Sequence, residues 1–174
     1  MTIRTILTEP NSILRQVSEP VEEVGNDERE LMKDMLETMY AANGIGLAAI
    51  QIGVPKRIIV LDISKKENEK NPMYFVNPII KNQNSNLSTY EEGCLSVPNI
   101  FVEVDRPNAC EVEYLDYHGE KQILKVEGLL ATCVQHECDH LDGKLMLDYL
   151  SKLKKTMILK KLSKQKVKSA RIIV

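Results

Sequence analysis

No apolar run in this chain approaches the ~20 residues needed to span a bilayer. The first residues, MTIRTILTEP, lack the charged-then-apolar pattern of a secretion signal. A cytoplasmic location without membrane attachment is therefore expected. Four cysteines (Cys94, Cys110, Cys133, Cys138) form no paired framework for a chain of this size, and no CxxC occurs. Reduced thiols, at least one of them a ligand, are expected rather than disulfides. A net charge of −2 excludes general attraction to nucleic acid or anionic membranes, and no specific nucleic-acid sequence is expected as a partner. Internal repeats, low-complexity tracts and interdomain linkers are also missing. The 174 residues suffice for one good core but not for two comfortable domains, so residues 1–174 read as a single domain.

What is present begins with a short N-terminal helix opened by Pro10 and the Asn11-Ser12 pair and closed by Pro20. Leu31, Met32, Met35, Leu36, Met39 and Tyr40 then recur at helical spacing behind the caps Asn26-Asp27, with Asn43-Gly44 as the stop. Their methionine stripe reads as core. Residues 44–53, GIGLAAIQIG, read as a small-residue loop leading into a strand, and RIIVLDI (57–63) as a buried strand. Residues 64–71 and 81–88 are polar loops, and 73–80 is a strand whose Pro78 suggests an edge or a strand end. EEGCLSVP (91–98) reads as an irregular segment. Alternation marks 101–105, 109–115 and 121–127 as antiparallel strands, the last two joined by a turn at 116–119 that holds His118. A helix from about 127 to 142, capped by Gly143, and a last helix over 151–164 complete the order. The fold class is α+β: small antiparallel β-sheets around a central helix, with a C-terminal helix.

That central helix carries QHECDHLDG (135–143). His136 and His140, four apart, project from one helical face and can grip one metal ion, with Glu137 in reach of a water beside it. Leu129 and Cys133 precede them at steps of four and three, so the face changes from apolar to imidazole and belongs against a pocket. Buried histidines need partners, and a metal satisfies both. Cys94, 42 positions before His136, is the candidate third ligand. A thiolate and two imidazoles leave the fourth position open, as a catalytic site requires. Cys110, Cys133 and Cys138 read as packing residues.

GIGLAAIQ (44–51), EGCLS (92–96) and QHECDHLDG, in this order, resemble the three motifs of the peptide deformylases. The likeness extends through ILTEPNSILRQVSEPV (6–21) to MLDYLSKLKK (146–155), and the lack of a long insertion makes the chain similar to the short, type I bacterial forms. The resemblance implies removal of the N-formyl group from N-formylmethionyl polypeptides, with release of formate. It implies Cys94, His136 and His140 as ligands of one divalent metal, Fe(II) in the cell and Zn(II), Ni(II) or Co(II) in purified protein. Glu137 is then general base and acid. Gln51 and the Leu95 backbone N–H form the oxyanion hole, and Gly46 seats the substrate backbone. Ile45, Leu129 and Cys133 would line a methionine pocket, with Glu92 near its rim. Departures are Ile50 beside Gln51, Cys138 within the last motif, and Phe101 where some relatives carry arginine.

Residues 151–168 hold eight lysines and no acid, with Leu153, Met157, Ile158 and Leu162 as a narrow apolar stripe. They read as a surface helix with a solvated basic face, or, by the resemblance, as a ribosome-docking helix. Competing readings are another HExxH hydrolase, such as a metallo-aminopeptidase or amidase, and a structural metal protein.

Overall fold

The computed structural model describes residues 2–64 and 69–170, with side chains to Lys164. The expected loop over 64–71 therefore falls partly, and the apolar tail 172–174 wholly, outside the described residues. Helix α1 spans Asn26–Ala41, and its cap is Gly25 rather than Asn26, because the Glu28 carboxylate accepts the Gly25 N–H at 3.0 Å. Strands β1 (Gly46–Ala48), β2 (Ile58–Leu61), β3 (Met73–Lys81), β6 (Ala109–Leu115) and β7 (Lys121–Glu127) form one antiparallel sheet in the order β1-β2-β3-β6-β7. Strands β4 (Leu87–Cys94) and β5 (Val97–Pro107) form a separate antiparallel pair. Helices α2 (Gly128–Leu141) and α3 (Lys152–Ala170) follow.

β2 is buried along its whole length, and the period of two in a strand divides it between two cores. Ile59 and Leu61 pack with Phe75, Val112, Ala131, Val134 and Leu141, the last three from α2. Ile58 and Val60 face the other way, onto the fully buried Met32, Met35 and Met39 of α1. The methionine stripe is core, as its spacing implied. A third cluster joins Val97, Val102 and Val104 of β5 to Leu145, Met146 and Leu147, and Leu162 of α3 closes it.

Several local readings are corrected. Pro78 lies in β3, the middle strand of five, not at an edge. The ladder to β6 shifts register between Val76 and Ile79, so no pairing is asked of a residue without an N–H. Asn77 beside it adopts φ 53° and exchanges two 2.8 Å side-chain bonds with the Val21 backbone, which hold the bulge. Residues 91–98 are mostly strand, since Cys94 ends β4, Val97 opens β5 and the turn between them is two residues long; the expected irregularity survives as a register shift between Gly93 and Cys94. GIGLAAIQIG is likewise no loop, since Gly46–Ala48 pairs with β2 and Ala49–Ile52 is a turn of 3-10 helix. Leu153 and Met157, read as part of the packed stripe of the last helix, are 72% and 63% exposed. Only Ile158 and Leu162 of that stripe, joined by Leu159, turn inward.

Candidate metal centre

β7 passes into α2 without an intervening loop, so the sheet fixes where this helix starts. Its end is fixed by Gly143, at φ 71°, whose N–H bonds the His140 carbonyl at 3.1 Å. Between these limits His136 and His140 stand one above the other, ring centroids 5.1 Å apart and nearly perpendicular. Cys94, at the tip of the β4–β5 hairpin, brings Sγ to 3.3 Å from His140 Nε2. One ligand atom from each of Cys94, His136 and His140 lies within 4.8 Å of the other two, the only such group among the described residues.

The surroundings orient these atoms. His136 Nδ1 is 2.7 Å from Glu92 Oε2, which turns Nε2 towards Cys94. Burial opposes a charge on His136, but the thiol of Cys94 and the carboxylate of Glu92 outweigh it and raise its pKa well above the usual value. Burial pushes His140 the other way, well below. Cys133 is kept a neutral thiol, pushed up to about 12 by burial first and by Glu137 second, so it offers packing and no thiolate.

Glu137 is 5% exposed, and its Oε2 has no hydrogen-bond partner. Burial pushes its carboxyl up to about 7, the range of a group that both takes and returns a proton at neutral pH. An orphaned carboxylate oxygen next to three converging soft and borderline donors fits a cation with a water beside it, and the donor set suits a divalent transition metal. Gly46 makes room for it: a Cβ there would lie 2.9 Å from Glu137 Cδ and 2.8 Å from Leu61 Cδ2. Gln51 is held by the Ala48 N–H, which donates to its Oε1 at 2.8 Å. Its Nε2 is thereby aimed at Ser96 Oγ (3.1 Å) and Cys94 Sγ (3.7 Å), beside the ligands.

A cavity of about 490 Å³ opens onto this group. Gly46, Gln51, Cys94, Leu95, His136 and Glu137 all border it, as do Ile45, Leu129 and Cys133. Glu92 also borders the cavity but not at its rim. It is 6% exposed and gives both oxygens to inward partners, Arg106 and His136, so its part is to hold a histidine. Sequence reasoning missed Thr132, which lines the cavity, although it sits one turn before His136 on the same helical face. It also missed Arg106, whose partners arrive from three other segments. His118 lies exposed in its turn, away from the site.

A family model for polypeptide deformylase matches residues 3–156. The chain is 71% identical to the peptide deformylase of Pelagibacter ubique over 174 residues, all of both chains. It is 40% identical to a crystal structure of peptide deformylase from Ehrlichia chaffeensis, with a TM-score of 0.92 over 97% of this chain and 99% of that one. The same Ehrlichia enzyme in complex with actinonin gives 42% identity and a TM-score of 0.90 over 95% and 98%. Motif order, antiparallel architecture and converging ligand atoms thus agree with the likeness along the whole chain, which belongs to the peptide deformylase family.

Proposed function

We propose that this chain, as one catalytic domain, is a metal-dependent hydrolase that removes the formyl group from N-terminal formylmethionine of new polypeptides and releases formate. The observation that carries the reading is the buried Glu137 carboxylate, its Oε2 without a hydrogen-bond partner, beside Cys94, His136 and His140 at the floor of an apolar cavity. A divalent ion held by those three residues supplies Lewis acidity, lowering the pKa of water from about 15.7 towards about 7.

The protein's own groups do the rest. Glu137 takes a proton from the attacking water and returns it to the departing amine, work worth on the order of 10² to 10⁴ in rate. Gln51 Nε2 and the Leu95 N–H donate to the oxygen that gains charge, and losing one such donor commonly costs about 10² to 10³. Because Oε1 of Gln51 is already engaged by Ala48, the amide presents N–H and not carbonyl to that oxygen. Ile45, Leu129 and Cys133 receive the methionine side chain. Gly46 gives the substrate backbone and Glu137 space to approach each other.

The native metal is read as Fe(II), for which a thiolate and two imidazoles are a fitting set, with Zn(II), Ni(II) or Co(II) replacing it in purified protein. Thiolate-bound iron makes the enzyme oxygen-sensitive, since oxidation takes the ligand with it. The enzyme works in the cytoplasm on emerging chains, and α3 docks on the ribosome through its lysines, with affinity falling as salt rises. Replacing Lys154, Lys160, Lys161 and Lys164 by glutamate should abolish co-sedimentation with ribosomes while leaving the fold intact; unchanged sedimentation rejects the docking.

Anaerobically purified protein, with its metal measured, should release formate from formyl-Met-Ala-Ser. The free peptide Met-Ala-Ser should remain uncut. Cleavage of the free peptide instead would make the chain a metallo-aminopeptidase. Glu137→Gln should retain the metal and lose nearly all turnover, and a folded, active Glu137→Gln protein would remove that residue from the mechanism.

A further inference from the structure

A buried run of polar groups leads from the metal centre to the protein surface. His136 meets Glu92 at 2.7 Å. Arg106 grips the same carboxylate with two bonds, Nε to Oε1 at 2.6 Å and Nη2 to Oε2 at 3.0 Å. Its remaining arm, Nη1, donates to Asp139 Oδ2 at 2.8 Å and to the Tyr149 hydroxyl at 3.2 Å. That hydroxyl donates to the same Asp139 oxygen at 2.8 Å. The guanidinium also sits 4.8 Å from the centroid of the Tyr149 ring.

These residues come from β4, β5, α2 and the 3-10 turn before α3. Glu92, Arg106 and His136 are at most 8% exposed, whereas Tyr149 is 49% exposed. A guanidinium with a carboxylate on each side has two anchors, and Tyr149 supplies a third from outside. With three anchors its plane is fixed, and Glu92 is fixed with it. The tilt of the His136 ring, which decides where Nε2 points, follows from the position of Glu92 Oε2.

We propose that Tyr149 is a positioning residue of the metal centre, acting through Arg106 and Glu92 on the ring of His136. The inference rests on the reading of Cys94, His136 and His140 as metal ligands. A mere packing role for Tyr149 predicts altered stability and unaltered metal affinity, whereas a positioning role moves the affinity.

The test uses full-length protein loaded anaerobically with Co(II), its dissociation constant read by competition with a chelator and its ligand geometry by visible absorption. Tyr149→Phe keeps the ring and removes the hydroxyl. It should weaken Co(II) binding about 10-fold, the lower end of what outer-shell partners of a metal ligand give, and change the absorption bands. Asp139→Asn, which loosens the same arm of Arg106, should act in the same direction. In a Glu92→Gln background the Tyr149→Phe change should add no further loss, because the link to His136 is already cut. An unchanged dissociation constant in Tyr149→Phe overturns the proposal, as does an equal loss with and without Glu92. Wild-type protein that binds no Co(II) would sink the ligand reading as well; normal wild-type binding with an unaffected Tyr149→Phe variant sinks only this one.

Discussion

Gly46 is the residue at which substitution tests the site most directly. Its missing side chain leaves the space that Glu137 and Leu61 fill, and a methyl group there would press on the Glu137 carboxylate carbon at 2.9 Å. Gly46→Ala should therefore lower kcat for formate release by about 10² while metal content stays near one ion per chain, since displacement of a catalytic group by ~1 Å costs about that much. Full activity in the alanine variant would mean that Glu137 has room to spare. At this scale much was legible: two histidines four apart, a glutamate and a distant cysteine have few joint uses. The role of Glu92 was not legible, because the sequence places it two residues from Cys94 and says nothing of Arg106, which reaches it from the neighbouring strand. Partners that meet across a ladder leave no mark in local spacing.

Among the elements, α3 was the one whose packing the sequence described least well. Its stripe of four apolar residues divides, and the buried Leu162 at 4% exposure carries the contact with β5 and the turn at Met146–Tyr149. Leu162→Ala should destabilise the protein by about 2 to 4 kcal/mol in urea unfolding, as large-to-small changes in a core do. Leu153→Ala, at an exposed position, should stay within about 0.5 kcal/mol. Equal effects of the two would show that α3 does not pack through Leu162. The helices and most strands were readable because their periods survive burial on one face. Pro78 in the central β3 was misread because a bulge releases a proline from its usual rule, and the bulge depends on Asn77 binding Val21, 56 residues away. The hairpin around Leu95-Ser96 was read as irregular only, because Gly and Pro lie nearby; the ladder does shift register between Gly93 and Cys94, yet strand pairing holds on either side of the shift.

For the molecule as a whole, Asp148 is the electrostatic knot. It binds Arg15 of the N-terminal turn at 2.6 Å, Lys155 of α3, and the Leu145 N–H at 2.8 Å. Burial raises its pKa, but Lys155, the Leu145 N–H and Arg15 together outweigh burial and hold it below the usual carboxylate value. A carboxylate whose folded pKa lies below its unfolded value of about 3.9 stabilises the fold above that pH, and this contribution is lost as pH falls through the folded value. Wild-type protein should therefore melt above Asp148→Asn near pH 7, and the gap should close as the pH falls below the usual carboxylate range and through the lowered folded value. A gap that persists at low pH would assign the effect of the substitution to shape and not to charge.

The two-residue turn that carries Cys94 has a consequence of a different kind. Isolated two-stranded hairpins are marginal in water, and among the described residues β4–β5 pairs with no other strand. If Cys94 and His140 hold an ion as proposed, that ion would join residues 46 apart in the chain, from the hairpin tip to α2, as a removable staple. By the chain-entropy relation for cross-links, a loop of that length is worth about 4 kcal/mol. The hairpin tip is thus the part of the protein most affected by chelation. Its amides should exchange with deuterium, and its thiol should react with alkylating reagents, well before the rest of the fold loosens. A deformylase of this kind would carry its own gauge of metal status, readable as the lifetime of one hairpin.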